Sequence, residues 1–146
     1  MNTIWYAELN SPLGKLTLES DGEALTRIRL PEENWEPDPK MKRVRKPALF
    51  TEAAAQLGAY FRGERTEFDL RLKTGGTPFQ NKVWAQLRKI PRGETITYAE
   101  LARRTGNPKA SRAVGAANGK NPLPIVIPCH RVIGSNGKLT GFAGGL

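Results

Sequence analysis

The chain reads as a two-lobed α/β protein: an amino-terminal antiparallel sheet with one helix, then a mainly helical carboxyl-terminal lobe. Three observations predict this. Residues 3–30 alternate apolar and polar positions between turn signals, as short antiparallel strands do. Beyond Thr77 the apolar residues recur at helical spacing behind capping residues. Charge changes character at the same place: residues 1–75 carry 12 basic and 12 acidic side chains, whereas residues 76–146 carry 11 and 2. Thr74-Gly75-Gly76 is the expected linker, which gives lobes of residues 1–75 and 76–146.

Residues 3–9 alternate and are rich in β-formers, and Asn10-Ser11-Pro12-Leu13-Gly14 is a turn cluster. Residues 15–19 alternate again, Asp21-Gly22 marks a tight turn, and residues 24–30 read as a third strand of a meander. Residues 32–47 are charged and carry Pro37, Pro39 and Pro47, so they are expected to be a loop. Residues 48–61 form a helix with Leu49, Ala53, Leu57 and Tyr60 on one face, stopped by Gly63, and residues 66–72 add a short strand.

In the second lobe Thr77 caps a helix with Pro78 at its first position. Phe79, Val83, Trp84, Leu87 and Ile90 make its apolar stripe, and Pro91-Arg92-Gly93 ends it. Thr97-Tyr98-Ala99-Glu100 has the form of a capping box, opening a short helix that stops at Gly106. Asn107-Pro108 leads into another helix over residues 109–118, closed by Gly119. Two short helices about a tight turn form a helix-turn-helix pattern. The second presents small residues, Ala110, Ser111, Ala113, Gly115, Ala116 and Ala117, with Arg112 as the one long side chain. Such a face suits either close approach to a nucleic-acid groove or tight packing on a neighbouring helix. Asn136-Gly137 then predicts a hairpin, which after a helix-turn-helix reads as a wing.

The chain has 146 residues, 38% of them hydrophobic, enough to build a packed interior. The formal charge of +9 lies wholly in the second half, which points to a polyanionic partner, nucleic acid first and membrane surface second. No apolar run is long enough to span a membrane, and the amino terminus does not have the pattern of a secretory leader. A single cysteine excludes a disulfide framework and a cysteine-rich zinc site, and a useful free thiol implies the reducing cytoplasm.

That cysteine adjoins the chain's one histidine, in Pro128-Cys129-His130-Arg131-Val132 behind Ile125-Val126-Ile127. Thiolate is the strongest side-chain nucleophile, and imidazole is the usual group that helps form one. The alternative is that Cys129 is a small buried hydrophobe closing a strand. On a strand, neighbouring side chains point to opposite faces, so Pro128 must break the strand or a water must bridge Cys129 to His130.

Taken together, these segments resemble the O6-alkylguanine-DNA alkyltransferase family. The resemblance is close from Thr77 to Leu146 and only topological before that. It rests on Pro-Cys-His-Arg-Val at residues 128–132, on Asn121-Pro122 eight residues before the cysteine, and on Ser111-Arg112-Ala113-Val114-Gly115. It implies a ribonuclease-H-like amino-terminal sheet with a helix and a winged helix-turn-helix carboxyl-terminal lobe. It implies irreversible, single-turnover transfer of an alkyl group from O6-alkylguanine, with O4-alkylthymine as a second substrate, to Cys129 after base flipping. His130 would activate the sulfur through a water, Asn121 would brace the turn, and Tyr98 would donate toward the guanine ring. Arg112 would fill the gap left by the flipped base. Ser111, Ala113, Gly115, Thr97, Lys109 and Arg131 would complete the DNA-facing set, in the minor groove. Val132, Phe142 and Ala143 would contact the base. No metal, cofactor or membrane is implied, and the protein would act as a monomer on double-stranded DNA.

The chemistry fits those residue types. An ordinary thiol, of pKa about 8.5, is only a few per cent thiolate at neutral pH, so activation is needed. The target atom lies within the base stack, so the nucleotide must be extruded at a cost of a few kcal/mol. Two features depart from the family. Phe142 stands where tyrosine is common, and the sequence stops at Gly144-Gly145-Leu146, before the helix that supplies a relay glutamate. The expectation is either slower transfer or a chain whose parent continues beyond Leu146. Two further readings are a non-catalytic sensor of alkylated bases and a cysteine hydrolase; turnover would mark the second.

Overall fold

The sheet of the first half is ordered around β1 (Thr3–Ser11), which sits between β2 (Gly14–Ser20) and β4 (Lys42–Arg45), with β3 (Leu25–Arg29) on the far side of β2. This is a computed structural model, and it describes residues 2–134. The chain divides into two compact units, Met1–Thr74 and Gly75–Leu146. Each is taken by itself.

The expected three-strand meander is present. β1 and β2 pair antiparallel from Trp5↔Ser20 to Ser11↔Gly14, and β2 pairs antiparallel with β3. Alternation directs Ala7, Leu16, Leu18 and Ile28 into the core. The expectation of a purely antiparallel sheet is corrected by β4, which lies within the segment read as a loop and pairs parallel to β1, Thr3↔Lys42 through Tyr6↔Arg45. Lys-Arg-Val-Arg lacks the hydrophobic alternation of a buried strand. It is held by the ladder and by cross-sheet ion pairs: Arg43 and Arg29 both donate to Glu19, at 2.8 and 3.0 Å, and Arg45 donates to Glu8 at 3.0 Å. Glu19 is 3% exposed, and the two guanidinium groups supply the compensation that a buried carboxylate requires. The Arg29 guanidinium also lies 4.1 Å from the centre of the Trp35 ring, which ties the proline-rich segment to the sheet.

α1 (Thr51–Phe61) follows a 3-10 turn, Pro47–Phe50. Phe50, Ala53, Gln56 and Leu57 are its buried residues, while Leu49 faces out because the tighter turn before the helix rotates it away. The short strand expected over residues 66–72 shrinks to one bridge, Leu25↔Leu72. The chain before it is held by the Gln56 amide, which donates to the Asp69 carbonyl and accepts from the Asp69 N–H, both at 2.9 Å.

The second unit begins with α2 (Pro78–Leu87). Thr77 accepts from the Gln80 N–H and Gln80 accepts from the Thr77 N–H, a reciprocal cap with Pro78 at the first position. Gly76 precedes it at φ 73°, where an added Cβ would stand 2.7 Å from the Trp84 ring, so both conformation and space demand glycine. β5 (Ile96–Thr97) leads into α3 (Tyr98–Thr105), which stops at left-handed Gly106 as expected. α4 (Ser111–Gly119) completes the helix pair. The expected box at Thr97 is only half formed. Thr97 accepts from the Glu100 N–H at 3.1 Å, but the Glu100 carboxylate turns to Arg103 and Arg104 instead of back to the cap. These two guanidinium groups hold the Glu100 carboxyl down at about 2. Val83, Leu87, Ile90, Leu101, Val114, Leu123, Ile127 and Val132 are each no more than 1% exposed and form the core. The Trp84 indole N–H donates to the Ala117 carbonyl at 2.9 Å, joining α2 to α4. Strand β6 (Val132–Ile133) pairs parallel with β5, a contact the sequence did not announce. The expected wing at Asn136-Gly137 lies outside the described residues. Among the described residues no helix is long and apolar enough to cross a membrane.

Candidate active site

The aliphatic run before the cysteine is not a strand. Pro122, Pro124 and Pro128 have no N–H to give a ladder, and the segment closes on itself as a buried loop. The Ile127 N–H donates to the Leu123 carbonyl at 2.8 Å. One side chain ties both ends: Asn121 accepts from the Leu123 N–H at 2.9 Å and donates to the Ile127 carbonyl at 2.7 Å. Within the loop Ile125 adopts φ 78°, a region that a β-branched residue enters only under strain.

The loop delivers Cys129 to the head of a 3-10 turn, Cys129–Arg131, closed by the Arg131 N–H donating to the Pro128 carbonyl at 3.1 Å. Pro128 precedes this turn, so Cys129 and His130 do not lie on a strand. Cys129 is 4% exposed. Burial pushes its thiol up to about 11, against hydrogen bonds from the Asn121 side chain and from the Cys129 and His130 N–H groups, which favour the anion. Burial thus favours the protonated thiol, while the donors around it favour the anion. Burial, and after it the charge of Arg131, lowers the His130 pKa, so the ring is neutral at physiological pH and able to accept a proton.

Tyr98 opens α3 and is partly buried. Its ring lies beside Gly115, where an added Cβ would meet it at 3.8 Å, ordinary contact. Its hydroxyl is 3.5 Å from Nδ2 of Asn118, which also donates to the Cys129 carbonyl at 3.3 Å. The structure thus brings Cys129, Asn121, Tyr98 and Asn118 together, with His130 next on the turn. Asn118 is the residue that sequence reading missed. The available signal was its place one helical turn beyond Val114 and next to Ala117, on the inward face of α4, where a polar residue calls for explanation.

The expected DNA-facing residues divide. Arg112 and Ala113 are exposed on α4, Ser111 and Gly115 are partly exposed, and Lys109 is exposed in the turn before the helix. Thr97 serves as a cap. Arg131 is a correction: it is 7% exposed, and its guanidinium donates to the Ile90 carbonyl oxygen just beyond α2. With its side chain enclosed and bonded to this carbonyl, the arginine is an internal strut and not a phosphate contact. Val132 is 1% exposed and lies in the β5–β6 ladder. Phe142 and Ala143 lie outside the described residues. Among the described residues no three His, Cys, Asp or Glu side chains converge as a metal site would require.

Residues 78–146 match the model of the 6-O-methylguanine DNA methyltransferase DNA-binding domain, and residues 4–74 match that of the family's ribonuclease-like domain. A methylated-DNA–protein-cysteine methyltransferase of Mycobacterium bovis is 50% identical over 98% of this chain and 86% of its own. The constitutive one of Bacillus subtilis is 47% identical over 96% of this chain and 87% of its own. A crystal structure of Mycobacterium tuberculosis OGT in complex with DNA superposes with a TM-score of 0.89, at 50% identity, over 97% of this chain and 85% of the other. With both halves of its length matched and half of its residues shared with these relatives, the chain belongs to the 6-O-methylguanine DNA methyltransferase family.

Proposed function

We propose that this protein repairs duplex DNA by taking the alkyl group of O6-alkylguanine onto Cys129, irreversibly and once per molecule. The observation that carries the reading is the buried Cys129 at the head of a 3-10 turn, with His130 next in the chain and Asn121 tying the loop before it, within a family of cysteine methyltransferases. The sulfur attacks the alkyl carbon, the C–S bond forms, and the bond from carbon to O6 breaks. The thiol proton passes through a water to the neutral His130 ring. Tyr98 donates to a ring nitrogen of the departing guanine, which would otherwise leave as an anion. The product is a thioether, which ordinary thiol reductants do not cleave, and this makes the protein single-turnover. The exposed Arg112 on the small-residue face of α4 enters the minor groove and fills the gap left by the flipped nucleotide, and the protein acts as a monomer.

Intact mass after incubation with duplex DNA containing O6-methylguanine tests the reading. The expected result is one added methyl group per protein, located on Cys129, with repaired guanine never exceeding the amount of protein. Release of many guanines per molecule would instead identify a hydrolase, and an unchanged mass would identify a sensor. The pH dependence is a second check. A protonated His130 cannot take the thiol proton, and burial moves its pKa beneath the ordinary 6.5. The acid limb of the single-turnover rate is therefore expected below pH 6.5, measured with rapid-quench transfer assays; a limb at or above that value contradicts a desolvated ring.

A further inference from the structure

Asn118 is 1% exposed, and its Oδ1 accepts no hydrogen bond from the described residues. An orphaned buried carbonyl is costly, and an aliphatic side chain of similar volume would serve the core better. The reason for an amide here must then lie in its donor side. Nδ2 faces two acceptors at once, the Cys129 carbonyl at 3.3 Å and the Tyr98 hydroxyl oxygen at 3.5 Å. The carbonyl is acceptor-only, so this assignment of the amide's two ends is fixed by chemistry. The longer contact is of the kind that tightens when substrate arrives.

We propose that Asn118 is a positioning residue for the alkyl-transfer step, acting through Tyr98. Its amide spans the turn that carries the nucleophile and the phenol, and so sets the distance between the attacking sulfur and the group that meets the leaving base. By donating into the phenol oxygen it also directs the O–H away from itself and makes it a better donor, because a hydrogen bond received by the oxygen stabilises the partial negative charge that forms as the proton is given up. This rests on the reading of Tyr98 as donor to the guanine.

A double-mutant cycle on single-turnover transfer from O6-methylguanine duplex tests it, using Asn118→Leu, Tyr98→Phe and the pair. Asn118→Leu is expected to slow transfer about tenfold, the scale of one hydrogen bond, while leaving the affinity for the methylated duplex unchanged. In the Tyr98→Phe background the same substitution is expected to change the rate by less than about twofold. Equal slowing in both backgrounds would reduce Asn118 to a structural residue and overturn the proposal, as would no slowing in either. A Tyr98→Phe rate equal to that of the parent would remove the donor reading of Tyr98 and this inference with it. Should leucine distort the lobe, as a lowered melting temperature would show, Asn118→Ala runs the same cycle.

Discussion

A Cys129→Ser protein binds methylated duplex DNA with the affinity of the parent and leaves the methyl group on the base. A hydroxyl is far less acidic and less nucleophilic than a thiol, and the neighbouring groups cannot make up the difference. His130, its pKa lowered by burial, is a weak base, adequate for a proton already being lost from sulfur but not for one held by an alcohol. The transfer rate is expected to fall by on the order of 10⁴ or more, the scale on which loss of a nucleophile acts. Serine is slightly smaller than cysteine, and the site is buried, so the Asn121-tied loop keeps its shape and binding is preserved. Rapid-quench transfer alongside a DNA-binding titration separates the two effects. Residual transfer within tenfold of the parent would mean that sulfur is not the acceptor.

The second large effect is on stability. Arg131→Met removes the guanidinium that donates to the Ile90 carbonyl and leaves this acceptor buried and unpaired. The loss of a charge-assisted bond just beyond α2, with desolvation of the orphaned oxygen, costs about 2–4 kcal/mol. A melting temperature lower by roughly 10 °C is expected, read by thermal unfolding. The intact surface at Arg112 and Lys109 predicts that DNA binding by the folded fraction is retained. An unchanged melting temperature with weakened binding would return Arg131 to the DNA-facing set.

How much of this was legible depended on whether local chemistry and tertiary role agreed. β1, β2 and β3 alternate because one face is core, and alternation is visible in sequence. Thr77-Pro78 and Gly106 mark helix ends by backbone requirements that residue type reports directly. β4 was hidden because its stability comes from ion pairs with Glu8 and Glu19, residues distant in sequence, so a paired strand looks like a solvated run. Arg131 was misplaced for the same reason: a lone arginine reads as surface, and nothing local reveals that the Ile90 carbonyl awaits it. At the site, Cys129 and His130 stood out through their chemistry, whereas Asn121 and Tyr98 entered only through the family resemblance. The loop shape was not legible, since three aliphatic residues in a row suggest a strand and only the flanking prolines argue against one. Asn118 carried a signal, a polar residue on an inward helical face, that was read as a helix end.

The pairing of Arg103 and Arg104 with Glu100 has a thermodynamic corollary. Of the 11 basic residues in the second half, those two already hold a carboxylate and Arg131 is enclosed. These three are therefore poorly placed to displace sodium or potassium ions from a duplex. Counterion release from the second half then gives affinity a gentler dependence on salt than the bare count of its cationic side chains would give.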